Sequence, residues 1–194
     1  MVCQGCFTPA ETLVCRQCRA SLRPPPEKIL PGGVRLVSAF EHTGAAARLV
    51  HGLKYRGLVR YAEMVAETLA PLLPRAPLVP IPRAWSRFAR YGVDPAREIA
   101  LRIARINRVA LVDLFRRPMH SARRAGGDHG RLPASLAIRT PAPGAVLIVD
   151  DVVTTGATML AAVNAVGSDR VIGVVAANDA TARSTLAGNV LERS

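Results

Sequence analysis

Short apolar runs along this 194-residue chain alternate with stretches whose apolar residues recur at helical spacing, and the switches mark out its elements. Val34 to Phe40 reads as a strand. Ala46, Leu49, Val50 and Leu53 then recur at helical spacing and lead into Lys54-Tyr55-Arg56-Gly57. Tyr61, Met64, Val65, Thr68, Leu69 and Leu72 mark one face of a second helix, halted by Pro71 and Pro74. Leu78-Val79-Pro80-Ile81-Pro82 predicts a short strand running into a rigid turn. Asp94-Pro95 supplies the N-cap and first position of a helix that buries Ile99, Ile103 and Ile106. Val109 to Phe115, Ala145 to Val149 and Val171 to Ala177 read as further strands. Met159, Leu160, Val163 and Val166 line a helix ended by Gly167. Arg116 to Thr140 has no clear period and reads as a mobile loop. Strands alternating with helices predict an α/β fold, a mostly parallel sheet flanked by helices on both faces.

The polar residues that interrupt this pattern are most telling at Val146 to Thr158, Val-Leu-Ile-Val-Asp-Asp-Val-Val-Thr-Thr-Gly-Ala-Thr. A strand ends in two adjacent carboxylates, Asp150 and Asp151, and a small-residue turn opens a helix. Thr154, Thr155, Gly156, Ala157 and Thr158 can present backbone N–H groups and hydroxyls to a phosphate at the positive end of that helix. The carboxylates can accept hydrogen bonds from ribose hydroxyls or hold hydrated Mg²⁺. Two other strand-and-acid layouts are excluded. No Gly-x-x-x-x-Gly-Lys-[Ser/Thr] loop exists in the chain, so this is not a P-loop. A phosphoacceptor receiver places its acids early in the domain, whereas here 43 residues follow Asp151.

All four cysteines fall in the first eighteen residues, as Cys3-x-x-Cys6 and Cys15-x-x-Cys18. Four thiolates in two such turns suit one structural Zn²⁺. Two disulfides are the rival reading, disfavoured in a reducing cytosol, and a redox pair would not need a second copy. The run Leu22-Arg23-Pro24-Pro25-Pro26 reads as an extended linker. The expected organisation is a four-cysteine, zinc-ribbon-like segment at 1–26 and an α/β domain at 34–194.

Composition adds a core and a charge. Apolar residues make up 49% of the chain, enough for a packed interior, and no apolar run approaches the length needed to cross a bilayer. The N-terminal residues carry no export pattern, so a cytoplasmic location is expected. Net charge is +12, and the segment from Arg83 to Arg139 alone carries thirteen arginines against four acids. Such a segment implies an anionic partner, either the polyphosphate of a small substrate or a nucleic acid backbone. At 4% aromatics, little material is left for a dedicated base-stacking platform. Tyr55 and Trp85 are expected to be packing residues, and His120 and His129 loop histidines without catalytic duty.

At Val146 to Thr158 the chain resembles the type I phosphoribosyltransferases. That resemblance implies binding of 5-phosphoribosyl 1-pyrophosphate (PRPP) with Mg²⁺. It gives the 5′-phosphate to the Thr154 to Thr158 loop and the ribose hydroxyls to Asp150 and Asp151. With the cysteine turns in front, Lys54-Tyr55-Arg56-Gly57, Val79-Pro80-Ile81-Pro82 and Arg90-Tyr91-Gly92-Val93-Asp94 together resemble the ComF family, phosphoribosyltransferase-like proteins associated with competence and DNA uptake. The resemblance implies a pyrophosphate turn at Pro80, Ile81, Pro82 and Arg83, with Lys54, Arg56, Arg87 and Arg90 as further cations. It implies either phosphoribosyl transfer or a non-catalytic PRPP-binding module that contacts single-stranded DNA or the uptake machinery. The chain departs from the family where Arg-Gly-Phe-Asn-Gln is usual, reading Arg90-Tyr91-Gly92-Val93-Asp94-Pro95, and again at Arg123 to Arg131. The acceptor of any phosphoribosyl group stays open.

Overall fold

The computed structural model describes residues 1–119 and 136–179. Among them, five strands form one sheet: β1 (Lys28–Leu30), β2 (Val34–Glu41), β3 (Leu78–Pro80), β4 (Val146–Val153) and β5 (Val171–Asp179). Their spatial order is β1-β2-β5-β4-β3. The four strands from β2 to β3 run parallel, and β1 joins the edge antiparallel to β2. The expected α/β fold with a mostly parallel sheet is the one observed.

Alternation along the central strands sends successive side chains to opposite faces. Leu147, Val149, Val175 and Ala177 face a core built with α2 (Gly44–Arg56), α3 (Val59–Leu69) and α5 (Pro95–Asn107). Val146, Ile148, Val174 and Ala176 face a second core closed by Met159 and Val163 of α6 (Ala157–Val166). Strands buried on both faces explain the near-continuous apolar runs of β4 and β5. The cysteine segment, with its short helix α1 (Arg16–Ala20), packs on the first of these cores: Cys3, Val14 and Cys18 are buried in one cluster with Ala45 and Leu49 of α2.

Several expectations need correcting. The strand expected at Val109 to Phe115 is reduced to isolated bridges, Leu78 with Leu111 and Phe115 with Ile138. Leu78 donates to Ala110 on that edge, but the next residue facing the same way is Pro80, which has no N–H to continue the ladder. The strand before the acids is longer than expected, and both carboxylates lie within it, Asp150 in register with Ala176. Ile106 is 51% exposed because the last turn of α5 extends past the sheet-facing stripe of Ile99 and Ile103. Leu72 sits exposed in a 3₁₀ turn beyond α3, forced by Pro71. Trp85 and Tyr55, expected to pack, are 48% and 41% exposed. Three elements had no prior signal: α1, within the cysteine segment, β1, between the proline run and β2, and α4 (Trp85–Tyr91), a seven-residue helix with no buried residue and hence no apolar stripe. His120, His129 and the arginines from Arg123 to Arg131 lie outside the described residues.

Candidate sugar-phosphate site

β4 carries Asp150 and Asp151 to the carboxyl end of the sheet, where open α/β sheets bind ligands. Thr154 and Thr155 follow as an exposed turn, and Gly156 begins α6 with φ +80°, ψ −6°. A side chain at that dihedral is strained, which is why glycine occupies it. The Thr155 hydroxyl accepts from the Ala157 N–H at 3.4 Å, bending the turn so that it bounds, with Asp150, a small concavity at the start of the helix.

The carboxylates differ in their partners. Asp150 Oδ1 accepts the backbone N–H of Asp151 at 2.7 Å. Asp151 Oδ1 takes the Lys54 ammonium at 3.0 Å, with both side chains mostly buried. Desolvation, reinforced by the neighbouring Asp151 charge, pushes the Asp150 carboxyl up to about 7; the Asp151 N–H and Lys54 pull in the other direction. One acid is thus held beside a cation while the other is poised to change charge near neutrality.

Lys54 reaches Asp151 because the end of α2 is clamped. Arg83 Nη1 donates to the Lys54 carbonyl at 2.6 Å and the Val93 carbonyl at 3.1 Å. Its guanidinium lies 5.5 Å from the Tyr55 ring centroid and 4.9 Å from that of Tyr91. Burial lowers the Arg83 pKa, partly offset by Asp151. The Arg83 N–H donates to Asp94 Oδ2 at 3.1 Å, and Arg117 Nη2 meets the same oxygen at 2.9 Å. Asp94 holds the expected N-cap position of α5, with Pro95 opening the helix, but its side chain makes no cap hydrogen bond. At 5% exposure, with burial raising its pKa, it serves as the anion beneath Arg83 and Arg117. Arg117 was not singled out by the sequence, and Tyr91 and Asp94 stood there only as part of the Arg90 to Asp94 motif, without these contacts to Arg83 and Arg117.

The structure therefore brings Asp150, Asp151, Lys54 and the Thr154 to Thr158 turn together, with Arg83 behind Lys54. Ile81 is buried and its N–H is taken by the Val149 carbonyl at 2.8 Å, while Pro82 has none to give. Arg90 is exposed on α4, over the Tyr91 ring at 5.4 Å, and pairs with neither carboxylate.

The cysteines form a separate cluster. The Sγ atoms of Cys3, Cys6, Cys15 and Cys18 lie within 4.8 Å of one another, and none is disulfide-bonded. The Cys6–Cys15 separation is 3.8 Å, the edge length of a tetrahedron with Zn–S bonds of about 2.3 Å. Backbone N–H groups of Gly5 and Cys15 point at Cys3 Sγ, at 3.3 and 3.2 Å. Burial pushes the Cys3 thiol up, yet these bonds outweigh it and bring it down to about 6; burial and its neighbours push Cys18 up to about 12. Donor set and spacing fit a zinc ion. Gly5 is required by close approach, since a Cβ there would stand 2.9 Å from Cys18 Sγ.

No protein-family model matches this chain, and no curated protein matches it. Among solved structures it is similar to a purine phosphoribosyltransferase from Pyrococcus horikoshii Ot3, at 20% identity and a TM-score of 0.35, over 61% of this chain and 68% of that one. The roles assigned below rest on the geometry of the site itself.

Proposed function

We propose that this protein binds PRPP with Mg²⁺ and is a phosphoribosyltransferase of the ComF type. The observation that carries the reading is the run from Asp150 to Thr158, in which paired carboxylates at a parallel strand end lead directly into a glycine-started helix. The amides and hydroxyls of Thr154, Thr155, Gly156, Ala157 and Thr158 hold the 5′-phosphate. Asp150 and Asp151 accept hydrogen bonds from the ribose hydroxyls. The amides of Ile81 and Arg83 are already engaged, so neutralisation of the pyrophosphate falls to the Lys54 and Arg90 side chains. Hard carboxylate oxygens beside phosphates suit Mg²⁺, which supplies further charge neutralisation to the leaving group.

Transfer breaks the bond from C1 to the pyrophosphate oxygen, and its electron pair leaves with pyrophosphate. A lone pair of the acceptor forms the new bond at C1, and the acceptor proton passes to water. Such a reaction depends on positioning and electrostatic stabilisation more than on a strong base. The resemblance to the ComF family makes uptake of single-stranded DNA the setting to examine, with the arginine-rich 83–139 segment as the contact surface. Pyrophosphate release from PRPP and Mg²⁺, assayed across a panel of nucleobases and amines, tests the transferase reading. Release with one acceptor supports it; PRPP binding with no release from any acceptor reduces the protein to a sensor.

A further inference from the structure

A groove of about 510 Å³ runs between the cysteine segment and the outer face of α2, and none of its lining residues lines the concavity at the phosphate turn. Its walls include Phe7 on one side and Ala47, Arg48, His51, Tyr55 and Arg56 on the other, with no carboxylate among them. The volume is that of a small-molecule site.

Phe7 is the informative residue. Its φ is +64°, a left-handed conformation that a bulky side chain adopts only at a cost of about 1 kcal/mol or more. The ring is not buried in return, being 50% exposed. A glycine would close the same turn, in which the Phe7 N–H bonds to the Cys3 carbonyl, without strain. The cysteine turn thus holds an aromatic face out over the groove at a cost to the fold. The Arg56 guanidinium lies 5.5 Å from that ring, and the His51 ring stands edge-on to Tyr55 at 5.5 Å. Arg48 is fixed by its bond to the Gly5 carbonyl, which ties the two walls together.

The geometry points to a nucleotide site: a free nucleoside monophosphate whose base stacks on Phe7 and whose phosphate is held by Arg56 and Arg48. The aromatic wall takes a planar ring. The two guanidiniums, with no acid among the described residues that line the groove, take a dianion through charge-assisted hydrogen bonds. A single-stranded nucleic acid offers the same chemistry, but the groove's volume is that of one nucleotide's worth of ligand and not of a strand. The site is separate from the carboxylate pair, and it stands whether or not PRPP binds there.

The test is calorimetric titration of the zinc-loaded full chain with AMP, GMP, CMP and UMP, with adenosine and a thymidine oligonucleotide as further arms. The double variant Asp150→Asn, Asp151→Asn removes the sugar-phosphate site and should leave monophosphate binding intact. Phe7→Gly should weaken binding by at least about fivefold while zinc content is kept and the melting temperature holds or rises. Arg56→Gln should weaken the monophosphate and leave adenosine unchanged. Three results would overturn the proposal: no saturable binding of any monophosphate at millimolar concentration, affinity unchanged by Phe7→Gly, or binding confined to the oligonucleotide. Loss of all binding in the Asp150, Asp151 double variant would return the ligand to the sugar-phosphate site and also overturn it.

Discussion

The cysteine cluster and the sugar-phosphate site are built by opposite means. Four identical ligands, paired across two three-residue steps, come together through local turns and the N–H groups beside them. The sugar-phosphate site takes Asp150 and Asp151 from β4, Lys54 from α2, and Arg83 and Asp94 from the stretch around α4. The first has four close thiols that a metal ion could complete, and it also packs on the core of α2. The second carries its own counter-charges, Lys54 on Asp151 and Arg117 on Asp94, with the Arg83 backbone N–H on the same Asp94 oxygen. Removing metal should therefore damage one and spare the chemistry of the other, whereas removing a buried charge should do the reverse.

The largest expected effect is loss of zinc. Chelation should cost several kcal/mol of stability and make all four thiols reactive, read by calorimetric melting and thiol titration. Because Cys3 and Cys18 share a core with α2, the melting of the whole domain should shift; an unchanged transition would separate the two regions. Asp94→Ala comes next. It strands the Arg83 N–H and Arg117 over a buried site, for a loss of about 3 kcal/mol in urea unfolding, with zinc content unaffected. A loss below the error of the fit would mean that the arginines find other partners.

Gly156→Ala should cost about 1 to 2 kcal/mol, since φ stays at +80° and the added Cβ meets only Leu30, at ordinary contact distance. PRPP affinity should fall with it. The smallest effect is a pH dependence. Asp150 is raised to about 7, above its unfolded value, so the proton is favoured in the free folded protein up to that pH. Ribose hydroxyls need the ionised form, so PRPP affinity should rise as pH climbs toward 7, by at most about tenfold per pH unit, and level off above it. Lys54→Met removes a cation that favours ionisation and should move the midpoint upward. A midpoint that survives Asp150→Asn unchanged would belong to the ligand.

The two regions also differ in how much their sequences disclose. Cys3 to Cys18 and Val146 to Thr158 are contiguous, so ligand spacing and the order of strand, acids, glycine and helix are visible without a fold. The sheet class was visible because short apolar runs such as β4 and β5 alternate along the chain with helical patterns. Asp94 is the helix cap residue that its sequence neighbours indicate, but its side-chain partners, the Arg83 N–H and Arg117, come from outside that helix and left no local sign. Arg83 looked like a free cation, and only the structure places its guanidinium on two carbonyls. Helix α4 buries nothing and so leaves no periodic trace, while β1 is three residues long. Short or unburied elements and long-range ion pairs leave no local pattern to read.

The central claim is that Asp150, Asp151 and the turn after them hold a ribose phosphate. Isothermal titration of zinc-loaded protein with PRPP and Mg²⁺, beside the Asp150→Asn, Asp151→Asn double variant, tests it most directly. The account predicts saturable heat with the wild type and none with a variant that still unfolds in one cooperative transition. Equal affinity in the two proteins, or no heat from the wild type at millimolar ligand, would contradict it.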